Sequence, residues 1–219
     1  MNEAPLVIAH RGACWDAPEN TLEAFELAVE QGADFVEFDV RIAADGRLVI
    51  CHDAPPDPCP PQIPTLDETL AMLRGRVGLA VEVKDGDAAA PAVSALRAHD
   101  IEQSAVILLS FRVAALKTLR EGLPRAHPVL NLGKKPIAAA TAFWGASFNN
   151  LAARTPVLAR AQRLGLATFV YTVNDPERMR ELAELGVTGI FSDRPALLRE
   201  TLAALPARAP GRSLPGTSR

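Results

Sequence analysis

Phe35-Val36-Glu37-Phe38-Asp39-Val40-Arg41-Ile42, followed by Ala43-Ala44-Asp45-Gly46 and then Arg47-Leu48-Val49-Ile50-Cys51-His52, is the stretch that decides the fold. Its first half alternates in a period of two, which sets Glu37 and Asp39 on one face of a strand and Phe38 and Val40 on the other. Asp45-Gly46 supplies the positive φ of a tight return, and so few residues cannot hold a parallel crossover. Arg47 to His52 therefore runs back antiparallel beside an extended strand, as a hairpin arm.

Working outward, short β-branched runs alternate with alanine- and leucine-rich amphipathic stretches. The other strand candidates are Leu6 to His10, Leu79 to Lys84, Ala105 to Ser110, Pro128 to Leu132, Ala146 to Asn149, Thr168 to Val173 and Gly189 to Ser192. Helices are expected over Asn20 to Gln31, Thr65 to Arg74, Ala88 to His99 and Val113 to Gly122. Four more are expected over Ile137 to Phe143, Thr155 to Leu164, Pro176 to Leu185 and Pro195 to Leu205. Thr65-Leu66-Asp67-Glu68 has capping-box spacing, and Gly32, Gly165 and Gly186 stand where helices end. With the hairpin arm set aside, eight parallel strands remain. The class is α/β, a (β/α)8 TIM barrel with an extended β-hairpin after strand 2, compact beside the ~250 residues usual for that fold. An open doubly wound sheet is the alternative, but no GxGxxG follows the first strand. Residues 1–205 are expected to form a single domain, and 206–219, rich in Pro, Gly, Ser and Arg, a flexible tail.

The composition narrows the function. With 48% hydrophobic and 22% charged residues in 219, the chain reads as a soluble globular protein. A net charge of −3 gives no basic footprint for nucleic acid. No apolar run approaches the ~20 residues of a membrane span, and Met1-Asn2-Glu3-Ala4-Pro5 lacks the basic start of a signal peptide. Cys14, Cys51 and Cys59 are odd in number and form no CxxC pair. These features together point to a cytoplasmic enzyme.

Charge interrupts two strands where a buried parallel strand should carry none. Glu37 and Asp39 share one face, and Glu82 and Lys84 share another in Ala80-Val81-Glu82-Val83-Lys84. Three carboxylates at one barrel mouth repel unless a positive charge compensates them. An all-oxygen set suits Mg²⁺ or Ca²⁺ better than Zn²⁺. The structural alternative is a buried salt bridge of Lys84 with one carboxylate, the others solvated. His10 ends the first strand, and the hairpin is expected to bring His52 beside Asp39, so that two imidazoles flank the mouth as an acid and base pair. Arg11 and Lys84 suit a phosphate. The set describes metal-assisted hydrolysis of a phosphoester.

His10-Arg11-Gly12, Pro18-Glu19-Asn20-Thr21, Gly32-Ala33-Asp34, Glu37-x-Asp39, and Asp45-Gly46 leading to His52-Asp53 together resemble the glycerophosphodiester phosphodiesterase family. Glu82-x-Lys84, Ser110-Phe111, Tyr171-Thr172-Val173-Asn174 and Ser192-Asp193-Arg194-Pro195 match its later motifs in order. The resemblance spans about residues 5 to 200 and is most specific in the first fifty. It implies a barrel enzyme that hydrolyses a small-molecule glycerophosphodiester to an alcohol and sn-glycerol 3-phosphate with a divalent metal. By position, Glu37, Asp39 and Glu82 are implied as metal ligands, His10 and His52 as the acid/base pair, and Arg11 and Lys84 as phosphate-binding. Glu19 is implied to orient these residues from behind, while Asn20-Thr21 caps the first helix. Two features depart from the family pattern. Only Ala54 to Pro64, with five prolines before Ile63, stands where an inserted cap segment usually lies, and Tyr171 replaces a usual Trp. An open mouth of this kind admits a bulkier head group, so a lysophospholipase D or sphingomyelinase-like phosphodiesterase is an alternative, as is a catalytically silent phosphodiester-binding barrel.

Other motifs point to packing. Gly133-Lys134-Lys135 lacks the first glycine and the Ser or Thr of a phosphate loop. Ser147 lacks a nucleophile elbow. His99, His127 and Trp144 read as structural, Cys51 as a packed thiol facing away from His52, and Trp15 and Phe111 as loop residues above the mouth.

Overall fold

The computed structural model of the protein describes residues 4–205, so the tail expected over 206–219 lies outside the described residues. Strands β1 (Leu6–Ala9) and β2 (Phe35–Ile42) flank the first helix, and β3 (Leu48–Ile50) is the hairpin arm. They are followed by β4 (Gly78–Val83), β5 (Val106–Ser110), β6 (His127–Asn131), β7 (Gly145–Asn149), β8 (Ala167–Tyr171) and β9 (Gly189–Ser192). Each barrel strand pairs in parallel with the next, and β1 pairs with both β2 and β9, which closes a (β/α)8 TIM barrel of eight strands. The ninth, β3, lies antiparallel on β2 in the register Val40↔Ile50, Arg41↔Val49 and Ile42↔Leu48. β2 pairs with β4 from Phe35 through Val40, and with β1 only at Phe35 and Val36. A strand has two edges, so β3 takes over the edge that β1 leaves free where β2 overhangs the barrel.

Seven α-helices lie among the described residues: α1 (Leu22–Glu30), α2 (Leu66–Leu73), α3 (Ala89–Ala98), α4 (Val113–Gly122), α5 (Thr155–Arg163), α6 (Pro176–Glu184) and α7 (Pro195–Ala203). The α2 start is the capping box expected from the sequence. The Thr65 hydroxyl accepts from Glu68 N–H, and the Glu68 carboxylate accepts from Thr65 N–H at 2.8 Å. The helix expected over Ile137 to Phe143 is instead a short 3₁₀ turn, Ile137–Ala140. The chain has no room for more. Trp144 N–H already bonds Pro128 O at 2.9 Å, so four residues after Ala140 the backbone is back in the sheet, too soon for a helical nucleus to repay its ordering.

Alternation sorts the side chains as the period of two requires. Ile8, Phe35, Ala80, Ile107, Leu109, Val129, Phe169 and Phe191 fill the inside of the barrel. Val7, Val36, Phe38, Val40, Val81 and Val83 pack outward beneath the helices. The Phe38 ring meets Phe25 of α1 at 5.9 Å between centroids. Because Phe35 and Ala80 point inward, so do Glu37, Asp39, Glu82 and Lys84 two and four residues on. The hydrophobic face of each strand thus aims the polar one at the mouth.

Thr65→Ala removes the hydroxyl that accepts from Glu68 N–H and leaves the backbone half of the capping box in place. It is expected to cost about 1 kcal/mol, read as a lower urea midpoint at unchanged slope.

Candidate active site

The site assembles where β1, β2, β4 and β9 end. After β1 the backbone turns sharply: Arg11 has φ +56° and Gly12 φ +84°. A Cβ on Gly12 would lie 2.7 Å from the Ala24 backbone, so only glycine fits. The turn points Arg11 N–H at Glu37 Oε2, 2.8 Å away. Asn20 also holds φ +58°, a conformation Asn tolerates better than most. Strain of this kind gathers at functional sites.

Glu37, Asp39 and Glu82 each bring a carboxylate oxygen within 4.8 Å of the others. Lys84 Nζ bridges two of them, 3.1 Å from Asp39 Oδ1 and 3.0 Å from Glu82 Oε1. Arg11 Nε lies 3.2 Å from Asp39 Oδ2 but outside hydrogen-bonding alignment, which leaves it a buried donor without a bonded acceptor. Arg11 Nη1 donates to both Glu19 oxygens at 2.9 Å, so Glu19, at the rim, holds the Arg11 guanidinium. Glu37 has no ion-pair partner among the described residues, and its only hydrogen bond there is the one from Arg11 N–H.

These contacts set the proton affinities. Burial, then Asp39 and Glu82, push the Glu37 carboxyl well above its ordinary value. Burial and Asp39 raise Glu82 against the pull of Lys84. Asp39 is held below its ordinary value, because Lys84, Asn20 and Arg11 outweigh the burial that would raise it. Three acids therefore share two cations, and Glu37 is the one left short. An all-oxygen set with an uncompensated buried carboxylate fits a hard divalent cation.

His10 stands at the end of β1, where Nδ1 lies 2.7 Å from Asp193 Oδ1. Asp193 in turn accepts from Asn174 Nδ2 at 2.6 Å and from Cys14 Sγ at 3.2 Å. An ionised carboxylate only accepts, so the imidazole proton sits on Nδ1 and the Nε2 lone pair is left for other work. His10 is close enough to Glu82 to draw that acid's proton affinity down.

His52 is placed differently from the other predicted site residues. The turn spans Ala44 to Gly46, with Ala43 N–H bonded to Arg47 O, so the register sets Cys51 rather than His52 opposite Asp39. Cys51 N–H donates to Asp39 O at 3.0 Å. The His52 ring is 38% exposed and its Nδ1 lies 2.9 Å from Asp53 Oδ1, and no bond joins it to the carboxylate cluster among the described residues. Its carbonyl accepts from Arg41 Nε at 2.8 Å, and Arg41 Nη1 donates to Asp85.

Of the Asn20-Thr21 pair expected to cap the first helix, only one residue does so. Thr21 is the cap, accepting from Ala24 N–H, while Asn20 is buried and donates Nδ2 to Asp39 Oδ2 at 3.0 Å. Asp193 and Asn174 carried no role in the sequence reading. Counting on from Phe191, which points inward, would have placed Asp193 at the mouth; Asn174 left no comparable signal. Cys14 went unnoticed as a site neighbour. The structural assignments of His99 and His127 agree with their contacts, the first on Asp67 at 3.0 Å and the second tilted against Trp144 with ring centroids 4.7 Å apart. Trp15 is 61% exposed above the mouth, beneath the Arg194 guanidinium.

The glycerophosphoryl diester phosphodiesterase family model matches residues 10–85 and 55–197 of the chain. A glycerophosphodiester phosphodiesterase of Bacillus subtilis (strain 168) is 26% identical over 250 aligned positions, covering 89% of this chain and 85% of its own length. Those 250 positions exceed the 219 residues here, so that relative carries segments this chain lacks. One from Caldanaerobacter subterraneus subsp. tengcongensis is 27% identical, covering 88% of this chain and 96% of its own. The structure of an Oleispira antarctica phosphodiesterase in complex with the product sn-glycerol-3-phosphate superimposes with a TM-score of 0.82 at 25% identity, covering 92% of this chain and 98% of its own.

Hydrogen bonds from His10, Asn174 and Cys14 outweigh the burial of Asp193 and hold its carboxyl at about 2. A depressed carboxyl stabilises the fold above its unfolded value, and that contribution fades as pH falls through the folded one. The stability gap between the protein and Asp193→Asn is therefore expected to be on the order of 2 kcal/mol above pH ~4. Urea unfolding at stepped pH should show the gap closing toward pH ~2.

Proposed function

The chain belongs to the glycerophosphoryl diester phosphodiesterase family, and on that premise we propose that it hydrolyses glycerophosphodiesters to an alcohol and sn-glycerol 3-phosphate by histidine acid–base catalysis with a divalent metal. The observation that carries this reading is the convergence of Glu37, Asp39 and Glu82 within 4.8 Å at the barrel end where such enzymes act.

His10 Nε2 takes the proton of the attacking hydroxyl, either the glycerol 2-hydroxyl or a water, and Asp193 stabilises the imidazolium that results. His52, exposed at the rim, gives a proton to the departing alcohol. Lys84 and Arg11 hold the phosphate oxygens as they develop charge, the guanidinium drawing on the Nε donor left without a bonded acceptor. Glu19 and Asn20 fix Arg11 and Asp39 in place. Glu37, Asp39 and Glu82 are the residues that would hold Mg²⁺ or Ca²⁺, which when bound supplies Lewis-acid polarisation of the phosphoryl group.

A second reading, action on lysophospholipids, is favoured by one observation: Trp15 lies exposed at the rim, and no helix covers the mouth between Asp53 and Thr65. Among the described residues no helix is long and apolar enough to cross a membrane.

Purified protein with Mg²⁺ or Ca²⁺ and glycerophosphocholine is expected to release glycerol 3-phosphate. His10→Ala and Glu37→Gln should each lower the rate about 100- to 10,000-fold. Release of choline phosphate would move the cut to the other ester bond. No release from any glycerophosphodiester would end the proposal, and turnover confined to lysophospholipid micelles would favour the second reading.

A further inference from the structure

We infer that His10, Cys14 and Asp193 form a second, inhibitory cation site that takes a thiophilic divalent ion such as Zn²⁺. His10 Nδ1, Cys14 Sγ and an Asp193 oxygen all lie within 4.8 Å of one another, apart from the oxygen-only cluster. Asp193 Oδ1 already gathers the other two, at 2.7 Å from Nδ1 and 3.2 Å from Sγ. All three residues are half-buried, so an ion can reach them from solvent.

The donor set separates the two sites chemically. One nitrogen, one sulfur and one oxygen suit Zn²⁺ and leave a coordination position for water, whereas the carboxylate cluster suits harder ions. Support behind the ligands is already built. Asn174 Nδ2 holds the other Asp193 oxygen at 2.6 Å, and the Asn174 carbonyl is fixed by Ser192 Oγ and Asp193 N–H, both at 3.0 Å. Cys14 is the only cysteine that enters a potential metal-holding group among the described residues.

On binding, the Cys14 thiol releases its proton to solvent and the thiolate and the Asp193 carboxylate balance the dication. Coordination at Nδ1 moves the imidazole proton to Nε2. If His10 works as proposed above, Nε2 then has no lone pair with which to accept a proton, and hydrolysis stops. The inhibition rests on that reading of His10; the binding does not.

Co²⁺ is the probe for binding, titrated into the protein with excess Mg²⁺ present. A near-ultraviolet thiolate-to-cobalt charge-transfer band is expected to saturate at one equivalent, to vanish in Cys14→Ser and in Cys14→Ala, and to persist in Glu37→Gln. No band in the unmodified protein, or a band that survives loss of Cys14, would overturn the site whether or not the protein hydrolyses anything. For inhibition, rates under saturating Mg²⁺ are compared with each variant's own zinc-free rate. Cys14→Ser should need at least about 10-fold more Zn²⁺ for half-inhibition, and equal sensitivity in the two proteins would overturn the inhibitory role.

Discussion

Repulsion among three buried carboxylates is the constraint around which the mouth of this barrel is arranged. Glu37 and Asp39 are almost wholly buried, where an isolated charge is costly. Lys84 answers Asp39 and Glu82 together, and Arg11 reaches toward Asp39 while Glu19 anchors it from outside. The same need explains the backbone after β1. Arg11 can offer its N–H to Glu37 only from a left-handed turn, which Gly12 completes by passing close to α1. Two cations for three acids keep the cluster folded yet leave it ready to accept more positive charge.

Much of this was legible in the sequence because strand alternation is a geometric rule. Once Phe38 and Val40 are read as core, Glu37 and Asp39 have nowhere to point but inward, and the barrel follows from counting strands after Asp45-Gly46 is taken as a turn. Local rules served as well: the Thr65–Glu68 cap and the glycines ending α1, α5 and α6 appear where spacing put them.

What escaped the sequence depended on tertiary placement. Asn20 and Thr21 are both good caps, and nothing local says that Asn20 instead turns to Asp39, a partner nineteen residues away. The His10–Asp193 pair spans 183 residues, and only closure of β1 on β9 brings the two together. The helix expected between β6 and β7 failed for a similar reason, since the bond from Trp144 to Pro128 fixed how soon the chain had to return. His52 stands one residue past the position opposite Asp39, which Cys51 takes, although the hairpin pairs Arg47 with Ala43 as its turn implies.

The overhang of β2 has a consequence for where the sheet stops. A barrel normally has no sheet edge, but a strand that outlasts its neighbour exposes one, and bare edges recruit other chains into aggregates. β3 covers that edge and would create another of its own. Instead Ile50 N–H bonds Pro64 O at 2.8 Å and Val49 bridges to Thr65, so the outer side of β3 is already occupied. The segment that occupies it ends in Pro60, Pro61 and Pro64, residues with no N–H to offer a further strand. The proline run that leaves the mouth open also stops the sheet from growing.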